Sequence, residues 1–166
     1  INSGQACAAQ TRILIPESCY EEYLAALAGA YRGMKLGDPA EPDTQLGPMI
    51  HERHFNRVKE CIAMGVSEGA RIVTGGGTPS HLEPGYFIEP TLLADVNNNM
   101  RVAREEIFGP VVCAIPYKDE EDAIRIANDS DLGLSGSVWT AVIEKGLEIG
   151  RAIQVGNFSI NCFSLD

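Results

Sequence analysis

The sequence predicts an α/β domain with a largely parallel sheet and flanking helices. Short stretches rich in isoleucine, leucine and valine alternate along the chain with longer amphipathic stretches, which is the order of elements in βαβ units. Glycine and proline cluster between these stretches and mark the turns. No internal repeat, low-complexity segment or linker divides the chain, so we expect a single domain over residues 1–166.

The first half of the chain predicts two helices among strands. A buried strand over residues 11–15 precedes a helix that Pro16 opens and Gly33 ends. After a loop rich in proline and glycine, a second helix begins at about Ile50. Residues 70–74 read as a short strand, and residues 86–96 as an extended stretch. The helical faces are given by apolar residues at helical spacing, namely Tyr20, Tyr23, Leu24, Leu27 and Tyr31 in the first helix and Phe55, Val58, Ile62 and Val66 in the second.

The second half repeats the alternation. A strong strand over residues 111–115 is stopped by Pro116, and a helix follows over residues 119–128. A strand at 136–140, a helix at 143–152 and a last strand at 155–160 complete the expected elements. Because strands and helices alternate, the strands of the sheet are expected to run mainly parallel.

Composition limits the classes of function. Lysine and arginine total 13 against 23 acidic residues, a net charge of −10 that repels nucleic acids and anionic membranes. No apolar run is long enough to span a bilayer. An odd number of widely spaced cysteines favours free thiols in a reducing compartment, so we expect a cytoplasmic protein; they are Cys7, Cys19, Cys61, Cys113 and Cys162.

Cys7 is the first candidate for chemistry. It lies among small residues in Asn-Ser-Gly-Gln-Ala-Cys-Ala, where a substrate carbon can approach the sulfur without crowding. Gly4 allows a sharp backbone turn, and the Cys7 N–H is available to an oxyanion that forms on the attacked group. On these residues alone, a small buried structural cysteine is the favoured interpretation.

A second motif, Glu-Glu-Ile-Phe-Gly-Pro-Val at residues 105–111, changes that balance. Together with Gly-Gln-Ala-Cys at 4–7, it resembles the NAD(P)-dependent aldehyde dehydrogenase family. Further matching pieces follow the family's order along the whole chain: Gly37-Asp38-Pro39, Gly47-Pro48, residues 85–91, Ala127-Asn128, Gly133-Leu134, Gly156 and Asn161.

The resemblance implies a role for each matching residue. Cys7 would be the nucleophile, forming a thiohemiacetal with the aldehyde and, after hydride transfer to NAD or NADP, a thioester that water hydrolyses to the carboxylic acid. Glu106 would hold a ribose of the cofactor, and Phe108 would pack beside it. The substrate tunnel would be bordered by Ala6, Ala8, Asn161, Cys162, Phe163 and Leu165. The small alanines would leave room for medium or bulky apolar aldehydes.

The resemblance also implies what the chain lacks. The family's general base, its oxyanion-hole asparagine, most of its dinucleotide-binding domain and its oligomerisation strand have no counterpart in these 166 residues. We therefore expect a catalytic domain that is inactive alone, from a parent that is a homo-oligomer and acts on a small aldehyde.

Alternatives remain open at this point. In a CoA-acylating aldehyde dehydrogenase, CoA would replace water as the thioester acceptor. In a non-catalytic binding domain of the same fold, Glu105 and Glu106 would be a solvated pair and Phe108 a core residue. His51 and His54 lie three residues apart, but no third ligand has a matching context, so no metal site is predicted.

Overall fold

The computed structural model describes residues 2–163. This part of the chain contains five α-helices and six strands. The helices are α1 (Tyr20–Arg32), α2 (Glu52–Ser67), α3 (Arg101–Arg104), α4 (Glu120–Asn128) and α5 (Ile143–Ala152). The strands are β1 (Arg12–Pro16), β2 (Arg71–Thr74), β3 (Thr91–Ala94), β4 (Val111–Tyr117), β5 (Ser135–Val138) and β6 (Asn157–Ile160).

The main sheet has four strands in the order β1-β4-β3-β2. Strands β1, β4 and β3 run parallel, with Arg12 opposite Cys113 and Thr91 opposite Val111. Strand β2 pairs antiparallel with β3 at one edge. The predicted α/β class with a largely parallel sheet is confirmed, and the antiparallel edge strand is an addition to it.

Helices cover both faces of this sheet. On one face, Tyr20 and Leu24 of α1 pack with Ile15, Leu92 and Ala114. The larger cluster on the other face contains Val58, Ile62, Leu93, Val102 and Ile107, together with Met49, Cys61, Ala70, Ile88, Val96, Ala103, Val111, Cys113, Ile115 and Ile126. All four residues of β3 are buried, as expected for a strand covered on both sides.

Strands β5 and β6 form a separate two-stranded parallel sheet. Helix α5 packs closely against β6, because a Cβ atom at Gly150 would lie 2.7 Å from the Phe158 ring and one at Gly146 would lie 3.0 Å from Ile160. Hydrogen bonds of two β5 serines join this pair to the segment that leads into β1. Ser135 Oγ donates to Ala8 O at 3.0 Å, and Ser137 Oγ donates to Gln10 Oε1 at 2.7 Å.

Two expectations about proline were wrong. Pro16 does not open α1; it ends β1, and a 3-10 turn over Glu17–Cys19 precedes the helix. Pro116 does not stop β4, which continues to Tyr117 with Pro116 opposite Ile15. At this point β4 has a strand only on its β1 side, since its pairing with β3 ends at Cys113, so the missing N–H of proline interrupts no ladder there.

The predicted extended stretch over residues 86–96 is only partly right, because β3 occupies just its second half. Helix α3 was not predicted. Tyr23 and Val66 belong to the predicted apolar faces of α1 and α2, but their side chains are 52% and 45% exposed. The buried face of each helix is therefore narrower than the sequence predicts. Among residues 2–163, no helix is long and apolar enough to cross a membrane.

Candidate active site

Cys7 lies in a tight turn immediately before β1. The turn is closed by the Ala9 N–H, which donates to Ala6 O at 3.0 Å, and the Cys7 side chain is exposed. Ala6 and Ala8 add only a methyl group on each side of it. The sulfur is therefore open to an incoming group, whereas the thiols of Cys61 and Cys113 are buried. Burial raises the pKa of Cys113 to about 12, which suppresses its thiolate.

Residues 2–9, here the Cys7 loop, begin with an unusual backbone. Asn2, Ser3 and Gly4 are consecutive residues with φ values of 53°, 53° and 72°, in the left-handed region. This region costs roughly 1–2 kcal/mol for a residue other than glycine, so surrounding contacts must hold the conformation. The Ser3 hydroxyl, which is buried, donates to Gly47 O at 2.8 Å, and Asn2 Nδ2 donates to Gln5 O at 2.9 Å.

Gln5 makes a second connection to residues 47–50, here the Gly47 segment. Its Nε2 donates to Pro48 O at 3.2 Å, and its Oε1 accepts from the Ile50 N–H at 2.9 Å. Both ends of the carboxamide are thus engaged with the same short segment. The Cys7 loop is fastened to a part of the chain more than 40 residues away.

The sheet topology brings the second motif to Cys7. Because β1 and β4 are parallel neighbours, the loops that precede them meet at the same, amino edge of the sheet. Residues 105–110, here the Phe108 loop, precede β4. A Cβ atom at Gly4 would lie 2.0 Å from Gly109 O, so the backbones of the two loops are in direct contact and glycine is required at position 4.

Phe108 is held in a strained conformation beside this contact. Its φ of 58° is left-handed, and its carbonyl oxygen accepts a hydrogen bond from His54 Nε2 at 2.6 Å. His54 is in the first turn of α2, where its backbone N–H donates to Nδ1 of the N-cap residue His51 at 3.0 Å. Helix α2 therefore fixes the backbone of Phe108.

Glu106 lies in the same loop with its side chain exposed. Arg57 of α2 donates to the Glu106 carbonyl oxygen at 3.2 Å and forms an ion pair with Glu105 at 3.4 Å. The next residue, Ile107, is completely buried and anchors the loop in the core. Glu105 is the acid that pairs with Arg57, which leaves Glu106 as the carboxylate presented to solvent beside Phe108.

A surface cavity of about 740 Å³ opens between these elements. It is lined by Asn2, Ser3 and Gln5 of the Cys7 loop, by Pro39, by residues 44, 45 and 47–51, and by His54 and Phe108. Cys7 and Glu106 are not among these lining residues. Its volume is in the range of sites that bind small molecules or parts of cofactors. Phe108 lines this cavity, and the exposed side chain of Glu106 lies two residues before it in the same loop.

The structure places the predicted tunnel residues in two groups. Ala6 and Ala8 flank Cys7, and Ser135 at the amino end of β5 contacts Ala8. Asn161, Cys162 and Phe163 follow the opposite, carboxyl end of β6. Leu165 lies outside the described residues. The tunnel assignment of both groups stays a prediction.

The side chains of the second group interact with the segment after β5. Asn161 Oδ1 accepts from the Thr140 N–H and its Nδ2 donates to Thr140 O, each at 2.8 Å. The rings of Phe163 and Trp139 are in edge contact, with centroids 5.5 Å apart. These contacts close the end of the β5–β6 pair.

Sequence reasoning missed Gln5, Ser3 and His54 as parts of the site. No local pattern identifies them, since their partners are distant in sequence. His51 and His54 drew attention only as possible metal ligands. Within residues 2–163, no group of three or more histidine, cysteine or acidic side chains is placed to hold a metal ion.

Comparison with known proteins identifies the family. The family model described as "Aldehyde dehydrogenase family" matches residues 1–165. The chain is 43% identical over 164 residues to the 5-carboxymethyl-2-hydroxymuconate semialdehyde dehydrogenase of Escherichia coli, covering 96% of this chain and 35% of that protein. It is also 43% identical over 166 residues to the geranial dehydrogenase of Castellaniella defragrans, covering 100% of this chain and 34% of that protein.

A solved structure supports the same family assignment. A Mycobacterium tuberculosis aldehyde dehydrogenase complexed with NAD+ superposes with a TM-score of 0.97 at 51% identity, covering 99% of this chain and 34% of that one. The chain thus spans about a third of the length of the relatives that it matches. With a family model that covers nearly every residue and a fold that agrees over its whole length, this chain belongs to the aldehyde dehydrogenase family.

Proposed function

We propose that this chain is the cysteine-bearing catalytic domain of a longer NAD(P)-dependent aldehyde dehydrogenase that converts an aldehyde to a carboxylic acid. The observation that carries the proposal is the direct backbone contact between the Cys7 loop and the Phe108 loop at the amino edge of the sheet. This contact packs the loop that carries the exposed Cys7 thiol against the loop that carries the Glu106 carboxylate and the Phe108 ring, which suit a nicotinamide nucleotide.

The chemistry assigned to this chain is that of a covalent catalyst. Cys7 Sγ, as the thiolate, forms a bond to the aldehyde carbon while the carbonyl π electrons move to oxygen. The Cys7 N–H is a donor for that oxyanion. When bound, NAD(P)+ supplies the hydride acceptor. Cys7 then carries the acyl group as a thioester, and water releases the acid and restores the thiol.

Glu106 and Phe108 are the residues of this chain that we assign to the cofactor. The Glu106 carboxylate accepts hydrogen bonds from a ribose hydroxyl pair, and the Phe108 ring packs against the adjacent flat group. Support comes from the exposed side chain of Glu106, from the position of Phe108 in the lining of the cavity and from the NAD+ bound in the Mycobacterium tuberculosis relative. The choice between NAD and NADP belongs to residues outside this chain.

The substrate class follows from the surroundings of Cys7. Ala6 and Ala8 leave space beside the sulfur, which favours a medium or bulky apolar aldehyde. Asn161, Cys162, Phe163 and Leu165 complete the proposed tunnel. The relative from Castellaniella defragrans is named for geranial, an aldehyde of this kind. The five free cysteines suit a cytoplasmic enzyme, and we propose that the parent is a homo-oligomer.

The test compares the full-length protein with its Cys7→Ala variant across aliphatic and aromatic aldehydes, following NADH and NADPH formation. We expect Cys7→Ala to reduce activity to background, whereas Cys19→Ala, on the turn after β1, should stay within about twofold of wild type. The 166-residue chain alone should be inactive. Aldehyde oxidation that survives Cys7→Ala would show that Cys7 is not the nucleophile.

Two further readouts separate the alternatives. Free acid as the product supports hydrolysis, while acyl-CoA formed on addition of CoA would identify a CoA-acylating enzyme. Alkylation with iodoacetamide at pH 8, resolved by peptide mass spectrometry, should modify Cys7 while Cys61 and Cys113 stay unmodified until the protein unfolds. Modification of Cys7 no faster than of the other cysteines, with no activity, would favour a non-catalytic domain.

A further inference from the structure

The Cys7 loop has a conformation that its own sequence does not favour. Asn2 and Ser3 are left-handed residues that are not glycine, and they immediately precede the turn that presents the thiol. Within the loop, the Gln5 N–H donates to Asn2 O at 2.9 Å. Asn2 Nδ2 donates to Gln5 O, and the Ala9 N–H donates to Ala6 O. These local bonds do not set the position of the loop relative to the rest of the chain, which depends on long-range contacts.

Gln5 supplies two of these contacts through one planar group. Its carboxamide donates to Pro48 O and accepts from the Ile50 N–H, so it pairs with the Gly47 segment on both sides of Met49. Met49 is 2% exposed, and its N–H donates to Tyr86 O at 2.8 Å. The partner of Gln5 is therefore itself anchored in the core.

The Gly47 segment leads directly into the helix that holds the second loop. His51 caps α2, and His54 in its first turn donates to the Phe108 carbonyl oxygen. The Phe108 loop in turn touches Gly4 through Gly109. The contacts form a closed ring, from the Cys7 loop through the Gly47 segment, α2 and the Phe108 loop back to the Cys7 loop.

We infer that Gln5 is a positioning residue for Cys7, which fixes the thiol relative to the Phe108 loop by fastening the Cys7 loop to the Gly47 segment. This inference rests on the proposed function. Gln5 lies two residues before Cys7 and within the same short loop, so release of its carboxamide frees the turn that carries the sulfur. The Phe108 loop keeps its own anchors at Ile107 and Arg57.

Loss of the Gln5 contacts should affect kcat and KM for NAD(P)+ differently. Reaction at Cys7 depends on the position of the sulfur, and misplacement by about 1 Å can cost 100-fold in rate. We assign binding of the cofactor to Glu106 and Phe108. Gln5 lines the same cavity as Phe108, but its carboxamide hydrogen-bonds to Pro48 and Ile50 and not to either of these residues. Loss of the Gln5 contacts is therefore expected to lower kcat and leave KM for NAD(P)+ almost unchanged.

The experiment uses the full-length protein with Gln5→Met, which keeps the length of the side chain but removes its hydrogen-bonding groups. Gln154→Met, at an exposed position far along the chain, is the matched control. We expect kcat to fall about 10- to 100-fold with KM for NAD(P)+ within twofold, while the control matches wild type. Hydrogen exchange should speed up together in the Cys7 loop and the Gly47 segment, because the Ile50 N–H loses its acceptor.

A kcat for Gln5→Met within twofold of wild type overturns the inference, whatever the exchange shows. A loss of kcat that comes with a raised KM for NAD(P)+ and a melting temperature lowered in proportion would assign Gln5 to folding alone and also overturn it. Failure of the proposed function is recognised separately, by an inactive wild type or an active Cys7→Ala. In that case the exchange of the Ile50 N–H still decides whether Gln5 holds the loop.

Discussion

The four-stranded sheet and the β5–β6 pair differ in how completely they bury their apolar residues. Both core clusters draw their buried residues from Ile15 to Ile126 and include none from the β5–β6 region. Most of the exposed large apolar side chains lie in the later region: Leu132, Leu134, Trp139, Val142, Ile143, Leu147 and Phe163. The first region is closed on both faces by its own helices, whereas the second is covered by α5 on one side.

This difference shows where the candidate site gains its rigidity. The Cys7 loop and the Phe108 loop both precede strands of the four-stranded sheet, and their supports, α2 and the Gly47 segment, pack on the same core. The β5–β6 pair contributes Asn161, Cys162 and Phe163 from a less buried unit. The proposed chemistry is therefore placed on the rigid region, and the proposed tunnel partly on the other.

The largest expected effect tests the difference in burial directly. Leu92→Ala removes a completely buried side chain from β3 and should cost about 2–5 kcal/mol of unfolding free energy. Leu147→Ala, on α5 with the side chain 48% exposed, should cost about 0.5 kcal/mol or less. Urea unfolding of the chain, followed by circular dichroism, measures both.

Similar costs for the two leucine variants would mean that the two regions do not differ in burial. The same two variants can be measured in the full-length protein. A cost above about 2 kcal/mol for Leu147→Ala there, but not in the 166-residue chain, would mean that other parts of the protein cover α5.

The next effect concerns the contact between the two loops. Gly4→Ala places a Cβ atom 2.0 Å from Gly109 O at a left-handed φ, so one loop must move away from the other. We expect a loss of aldehyde oxidation of about 100-fold or more in the full-length protein. Gly29→Ala is the control, because a Cβ atom at this exposed position of α1 meets nothing within 4 Å.

Gly29→Ala should leave activity unchanged and raise stability by about 0.5–1 kcal/mol. Activity within threefold of wild type for Gly4→Ala would contradict the tight approach of the loops. The rigid region would then tolerate displacement at the site itself.

The sequence predicted the regular elements of both regions better than the effect of individual prolines. Strong apolar strands such as β1 and β4 and the amphipathic faces of α1 and α2 follow from local patterns, and they confirm the α/β class. The element boundaries predicted from Pro16 and Pro116 were wrong, because the effect of a proline in a strand depends on whether its missing N–H faces a neighbouring strand. That is decided by the sheet topology and not by the local sequence.

The candidate site was predictable only where it resembles a family motif. Cys7, Glu106 and Phe108 are visible in this way, and the topology brings their loops together. Gln5 belongs to the first motif, but its contacts, like those of His54, are not visible in the sequence. Their partners Pro48, Ile50 and Phe108 lie 43 to 54 residues away. Contacts of this length arise from packing, and no local spacing encodes them.

The smallest expected effect is confined to the β5–β6 pair. Asn161→Ala removes two hydrogen bonds to Thr140 and places alanine at a left-handed φ of 56°. The substitution should lower the local unfolding free energy by about 1–2 kcal/mol. Trp139, next to Thr140 and the single tryptophan of the chain, reports this unit by its fluorescence. Its unfolding transition should move to lower urea, while the circular dichroism of the four-stranded region stays in place.

Asn161→Gly is the matched variant, because it loses the same bonds but accepts the left-handed backbone. It should be more stable than Asn161→Ala by about 1 kcal/mol, which isolates the backbone cost from the hydrogen bonds. If the fluorescence and circular dichroism transitions move together in both variants, the two regions unfold as one cooperative unit. The less buried pair would then draw its stability from the four-stranded sheet through the Ser135 and Ser137 contacts, and the proposed tunnel would share the rigidity of the Cys7 loop.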